Sequence, residues 1–543
     1  MNKKILILLI IITTIFSISA GAYYKDENPT LEILKVRDAE RYIREARQSF
    51  NKANNKFEFL YQAELKINFS RLQELYQQLI RSYQNGDQTS LNKLTIEIKK
   101  LAQKIDLMCL ESKQIQLRGL WLDHGTFART KGRAGLAKLL DQAVKANLNT
   151  IFAEIYYKGK TVIPSNQLFQ QDSIFADWTE DPLQVLLEEA ARRNLEVHGW
   201  VWVFNENTVG KPGVILNQHP DWANKSKQGK IITYHNSSWL SPARPEVRKY
   251  LQQRYLYLVK NYQLAGINFD YIRYPEEYQA SFGYDQVSRE LFQAKYGLDP
   301  LTIKASSPEA DLWNKFRENL VTQMVKESSQ LLKKADPELL LSADVIPGRQ
   351  EARYRVLQDW SYWLEKDYLD FVLPMTYTEN LFSELENWLL SDRKAVKKPL
   401  YPGISVFKLS QSELIQQINE INQLNPNGFS LFAAAHLTAD DYFNLGQGIL
   451  RKKAIIPFRQ PAKSLKVLQE LILKRINLLK SQQEINNQTA IALRGYLNQI
   501  LKTKEQSLTL AGFIDQQDLK LSQQANLVLA KDFAYLADII KLY

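Results

Sequence analysis

GINFDYIRYP, residues 266–275, sets a charge at the end of an apolar strand. Gly266, Ile267 and Phe269 suit the interior of a sheet, yet Asp270 follows directly, with Arg273 three residues on. A bare carboxylate is costly to bury, so Asp270 is either paired or placed where chemistry needs it. The stretch reads as a barrel or sheet strand that ends in a functional mouth.

The same alternation extends to both sides. Between Arg118 and about Arg451, short apolar and β-branched runs alternate with amphipathic helical stretches. The runs are GLWLDH (119–124), TIFAEIYY (150–157), EVHGWVWVF (196–204), GINFDYIR (266–273), LLLSADV (339–345), FVLPMTY (371–377), LYPGISV (400–406) and GFSLFAA (428–434). Helical patterns such as GLAKLLDQAVKAN and PLQVLLEEAARRN separate them. Alternating strand and helix signals imply a parallel sheet with crossover helices. Eight such units predict an α/β fold, the closed (β/α)8 TIM barrel. A doubly wound open sheet is the alternative, but no glycine fingerprint for a nucleotide follows the first run.

In such a barrel the active site lies at the C-terminal strand ends. Here those ends carry groups that a sealed core would reject. The first gives Asp123 and His124, and the second Glu154 with Tyr156 two residues on, on one side by simple alternation. The third presents His198, Trp200 and Trp202 on one face, and the fourth Asp270 in register with Asn268. Asp344 closes the fifth, Thr376 and Tyr377 the sixth. Each has a duller role open to it: a carboxylate can pair with arginine or cap the next helix, and tryptophans can be layers of barrel packing. The recurrence across six strands points to an enzyme. The five histidines, 124, 198, 219, 235 and 436, show no tight metal-ligand spacing. His124 and His198 can both reach the mouth, which leaves a metal hydrolase open as the lesser alternative, but a third zinc ligand is not evident. The sequence therefore calls for no metal and no cofactor, and it has neither a Gly-x-Ser-x-Gly elbow nor a phosphate loop.

The remaining regions have other signatures. Lys3 and Lys4 precede an apolar run from Ile5 to Ile18, and Ala20-Gly21-Ala22 supplies a cleavage site. This predicts a signal peptide over 1–22 and a secreted, periplasmic or cell-envelope protein, with an uncleaved membrane anchor as the alternative. One cysteine, Cys109, leaves no internal disulfide, and reads as a small core residue on a helix. A net charge of +11 suits an anionic envelope neighbour. No nucleic-acid signature accompanies it, so nucleic acid is not an expected partner. Residues 23–115 form an α-helical region, with Leu72, Leu75, Tyr76 and Leu79 at helical spacing and a turn over Asn85–Ser90. A second helical region spans 463–543, so the barrel domain covers 118–455. These flanks are expected outside the barrel, where they can dock an envelope protein partner.

RGLWLDHGTF, LEVHGWVWVF, HPDWA, SPARPEVRKYL and above all GINFDYIRYP resemble the family 10 glycosyl-hydrolase-like domain of bacterial envelope proteins. The likeness runs over roughly Arg118 to Arg451. It implies a (β/α)8 glycoside hydrolase acting on O-glycosidic bonds, with a polysaccharide substrate and peptidoglycan favoured. GINFDYIRYP and LPMTYT are also similar to chitinase-type glycosidases, whose fourth strand carries a glutamate acid two residues beyond an aspartate. Ile272 stands there, so that arrangement is broken. The second-strand AEIYYKGKTVIP departs from the arginine-containing form usual in the family.

Glycoside hydrolysis ordinarily uses two carboxyl groups, one protonating the leaving oxygen and one attacking or activating water. The resemblance nominates Asp270 as nucleophile or general base and Glu154 as general acid, with Asp344 as the reserve partner. Arg273 and Tyr274 are expected to orient Asp270 or bind sugar hydroxyls. The loop HNSSWLSPARPEVR offers Trp239 as a sugar platform, beside Trp200 and Trp202. Asp123, His124, His198 and Tyr377 complete the expected substrate-binding set. The rival expectation is a noncatalytic glycan-binding scaffold that keeps a hydrolase fold.

Overall fold

The computed structural model describes residues 31–276, 282–379, 386–424, 427–504 and 509–542. The expected signal peptide, 1–22, lies outside the described residues. The described residues divide into two compact units, Gln116–Tyr442 and a helical unit that holds those of 31–115 and 443–542.

The first unit holds eight parallel strands: β1 (Leu117–Leu122), β2 (Thr150–Tyr157), β3 (Glu196–Trp202), β4 (Gly266–Asp270), β5 (Leu340–Val345), β6 (Phe371–Pro374), β7 (Gly403–Ser405) and β8 (Gly428–Phe432). They pair in the order β7-β8-β1-β2-β3-β4-β5-β6. The ring closes between β6 and β7, where the Tyr401 N–H donates to the Val372 carbonyl at 3.0 Å. This is a (β/α)8 barrel, and its strands read as apolar runs because both faces are covered. Crossover helices include Arg133–Lys145, Pro182–Ala191 and Pro245–Asn261. Their starts are written locally: Asp181 caps the second through the Leu183 N–H at 2.9 Å, with Pro182 at the first helical position. Gly266 opens β4 because a Cβ there would meet His198 Nδ1 at 2.3 Å and the Leu340 carbonyl oxygen at 2.5 Å.

Three strand ends depart from simple periodicity. β1 stops at Leu122, because Asp123 leaves it to cap the helix His124–Arg129. β4 stops at Asp270, where Tyr271 turns into the left-handed region at φ 51°. Near the end of β2 the register slips between Glu154 and Tyr156, so that Glu154 pairs with Trp200 but Tyr156 with Val201. This bulge inverts the inside-outside alternation beyond it.

In the helical unit, Leu31–Asn55, Gln62–Gln84 and Gln88–Met108 bury Leu72, Leu75, Leu79 and Ile98 in one core. Each such side chain contributes about 1.5–3 kcal/mol. Asp87 caps the third helix through the Ser90 N–H at 3.0 Å, so the turn expected over Asn85–Ser90 is shorter and ends at Asp87. Cys109 is buried in this core, and burial pushes its thiol up to about 12. The C-terminal helices Pro461–Ser481, Asn487–Thr503 and Gln523–Ile540 form a second core that includes Phe57. Buried Arg475 ties the two: it meets Glu111 at 3.1 Å, Asp532 at 3.0 Å and the Phe57 carbonyl. No described helix is long and apolar enough to cross a membrane.

Candidate active site

Asp270 closes β4 at the C-terminal end of the barrel, with only 8% of its surface exposed. The Trp200 indole N–H donates to Oδ2 at 3.0 Å and the Tyr271 N–H to Oδ1 at 2.6 Å. Beyond that N–H the chain turns away through the left-handed region at Tyr271, a conformation costing about 1–3 kcal/mol. Burial pushes the Asp270 carboxyl up to about 6, against the field of Arg273 and the two N–H donors, while Glu154 adds to the rise. Arg273 acts through its field: its guanidinium bonds the Tyr274 carbonyl at 3.1 Å and lies over the Trp239 and Tyr271 rings.

On the neighbouring strand, Asp344 projects beside Asp270. The Asn268 amide N–H donates to its Oδ2 at 2.9 Å, and Ser342 Oγ–H fixes that amide by donating to Asn268 Oδ1 at 2.7 Å. Oδ1 of Asp344 is buried without a hydrogen-bond partner among the described residues. Burial, and then the Asp270 charge, hold its proton well above the ordinary carboxyl range. The two carboxyls therefore divide one proton. Asp270 carries the donors that favour an anion, and Asp344 keeps the proton.

Glu154 stands across from this pair on β2, its Oε2 accepting the His124 N–H at 3.0 Å and a bond from the same residue's Nδ1. The His124 ring stacks on Tyr157 at 3.8 Å, and the Tyr157 hydroxyl donates to Asp172 Oδ2 at 3.0 Å. Tyr156, expected beside Glu154, packs instead against Phe169 and Tyr255 on the helix side, because the β2 bulge turns it out. Tyr157 takes the place expected for Tyr156.

Several other expectations are corrected. His198 does not reach the mouth: it lies four residues before Trp202, about 13 Å down the strand at ~3.3 Å per residue. It is fully buried between Phe152 and Phe371; among the described residues neither ring nitrogen has a hydrogen-bond partner, and Glu196 Oε2 lies 3.6 Å from Nε2. Asp123 has both oxygens engaged by Thr126, from its N–H at 2.8 Å and its hydroxyl at 2.6 Å. It serves as a helix cap. Tyr274 is buried under the Arg317 guanidinium, beside Gly283, and packs the barrel wall. The three tryptophans are not open platforms. Trp200 is held by Asp270 and wedged at 5.0 Å against Trp121. Trp202 packs on Tyr271 at 4.6 Å. Trp239 is 3% exposed, with its N–H on Ser237 Oγ at 2.7 Å. Tyr377 does reach the site, stacked on Phe432 at 5.3 Å and within the fields of Asp344 and Asp270.

The sequence reading missed Tyr157 and Tyr271. A left-handed tyrosine carries no sequence signal, and the bulge at Glu154 none that alternation can detect. Among the described residues, no group of three or more His, Cys, Asp or Glu is arranged to hold a metal ion.

Known proteins bear on this arrangement. The family model described as glycosyl hydrolase-like 10 matches residues 116–419. The glycosyl hydrolase DigH of Escherichia coli O6:H1 is 26% identical over 318 residues, covering 53% of this chain and 69% of that protein. The glycosyl hydrolase YngK of Bacillus subtilis is 23% identical over 347 residues, covering 55% of this chain and 62% of that one. Among solved structures, α-L-fucosidase isoenzyme 2 from Paenibacillus thiaminolyticus aligns with a TM-score of 0.45 at 12% identity, over 62% of this chain and 49% of the fucosidase. The match over residues 116–419 spans more than half of the 543-residue chain, which belongs to the glycosyl hydrolase-like 10 family.

Proposed function

We propose that this protein is an exported glycoside hydrolase that cleaves O-glycosidic bonds of an envelope polysaccharide, with peptidoglycan glycan strands as the substrate. The observation that carries the reading is the pair of carboxyls at adjacent strand ends, Asp270 and Asp344, whose surroundings push their protonation apart. A buried acid that keeps its proton beside a carboxylate held by N–H donors is what acid-assisted glycosyl transfer requires.

Asp344 donates its proton to the glycosidic oxygen as the bond to the anomeric carbon breaks. Asp270 supplies the negative partner for the oxocarbenium-like transition state, attacking the anomeric carbon or accepting a proton from the incoming water. The acid role passes from Glu154 to Asp344, because Glu154 Oε2 already accepts two bonds from His124. Glu154 then fixes His124 and Tyr157 as one wall of the cleft. Export rests on the Lys3-Lys4 pair, the apolar run and Ala20-Gly21-Ala22, and the +11 charge suits an anionic wall polymer.

The test is reducing-end release from purified glycan strands by the wild type, Asp270→Asn and Asp344→Asn. Turnover in the wild type and its loss in both folded variants supports the reading. A wild type inert on every glycan would favour a noncatalytic glycan binder.

A further inference from the structure

The three tryptophans nominated as sugar platforms are packed in, which leaves open what holds the sugars away from the cleavage point. The short helical turn Val406–Lys408 follows β7 directly, so Phe407 stands on the same end of the barrel as Asp270 and Asp344. Phe407 is 48% exposed. Its exposure is not that of a loose surface residue, for its ring meets Tyr377 and Phe432 edge-on at 6.4 Å each and His436 at 5.4 Å. Lys408 braces the turn by donating from Nζ to the Tyr377 carbonyl at 3.2 Å.

These contacts lead inward without a gap. Phe432 packs on Trp200 at 6.2 Å, and Trp200 bonds Asp270. Tyr377, stacked on Phe432, lies in the fields of both aspartates. Strand order sets β7 four places from β3 around the ring, so Phe407 stands across the mouth from Trp202. Single exposed apolar side chains are common on protein surfaces; what sets Phe407 apart is its place at the strand ends, in ring contact with residues that lead to Asp270. Exposed His436 and Lys408 beside it supply donors for hydroxyl or acetamido groups. A ring face flanked by such donors suits a pyranose.

We propose that Phe407, with His436 and Lys408, forms a stacking subsite for a sugar unit remote from the scissile bond, so that the site takes a glycan chain and not a single sugar. This rests on the glycan-cleaving reading above, yet binding can be measured without turnover. The probes are β-1,4-linked N-acetylglucosamine dimer and hexamer, titrated calorimetrically into the folded Asp270→Asn protein. The hexamer should bind more tightly than the dimer. Adding Phe407→Ala should lower the hexamer-to-dimer affinity ratio about tenfold, the equivalent of about 1.4 kcal/mol. Phe407→Trp should restore the ratio, which a merely disturbed fold would not do.

An unchanged ratio in Phe407→Ala, equal loss with Phe407→Trp, or no binding of either probe overturns the subsite. Wild-type turnover with an unchanged ratio would leave the hydrolase reading standing alone. A Phe407-dependent ratio without wild-type turnover would establish the subsite and remove the hydrolase.

Discussion

Asp270→Asn separates a catalytic carboxylate from a structural one by stability as well as by activity. Burial raises the Asp270 carboxyl from 3.8 to about 6 in the folded protein. At about 1.4 kcal/mol per pH unit, ionised Asp270 costs the fold about 3 kcal/mol at pH 7.5. The sign follows from the direction of the shift: the folded state binds the proton more tightly, so this cost is absent below pH 3.8 and grows as pH rises toward 6. Asparagine removes the charge, but its amide can accept only one of the two N–H donors, from Trp200 and Tyr271, which loses about 1 kcal/mol. The variant should therefore be about 2 kcal/mol more stable than wild type at pH 7.5 and about 1 kcal/mol less stable at pH 4. The swing of about 3 kcal/mol between the two conditions is the observable, because titrating groups that do not feel the Asp270 charge cancel in the difference, and Asp344, whose proton that charge helps to hold, can only add to the swing. All ten tryptophans lie between residues 121 and 388, so urea unfolding followed by tryptophan fluorescence reports the barrel alone. Destabilisation by about 3–5 kcal/mol at pH 7.5 would mean that Asp270 is one half of a structural ion pair, and would refute the reasoning.

Other outcomes follow from single contacts. Asp344→Asn should lower turnover about 100- to 10,000-fold on natural glycan, and far less on an activated aryl glycoside whose leaving group needs no proton; equal losses on both would remove Asp344 as the acid. Gly266→Ala should cost about 1–3 kcal/mol in barrel stability, since its methyl meets His198 Nδ1 and the Leu340 carbonyl oxygen; an unchanged urea midpoint contradicts that packing. Arg475→Ala should cost about 3–5 kcal/mol, because it takes the buried guanidinium from Asp532 and leaves Glu111 with the more distant Lys113 at 3.6 Å; calorimetry showing under about 1 kcal/mol would assign that cluster no structural role. N-terminal sequencing of the mature protein should begin at Tyr23, and an intact Met1 on membranes would mean an anchor.

The barrel was legible because each strand is buried on both faces and each crossover helix carries its own stripe and cap. Asp270 was legible for the same reason, as a charge that ends an apolar run. What the sequence did not reveal was height and parity. A period of two says which face His198 shares with Trp202, but not that it sits far below it. The β2 bulge, invisible in TIFAEIYY, exchanged Tyr157 for Tyr156. Asp123 looked functional because strand ends and helix caps use the same residues. Phe407 falls one residue beyond the run LYPGISV and drew no notice there; the end of β7 at Ser405 and the helical turn after it expose it.

If Asp270 works as an anion while Asp344 keeps its proton, turnover must follow both titrations. The pH dependence of kcat/KM for reducing-end release from glycan strands tests it most directly, since that profile reports the groups of the free enzyme. A bell-shaped profile is expected, its acid limb turning near pH 6, where Asp270 gains its proton, and its alkaline limb marking the loss of the Asp344 proton. Activity that stays level as pH falls from 7 to 4, or an Asp270→Asn protein with the same profile as wild type, would contradict it.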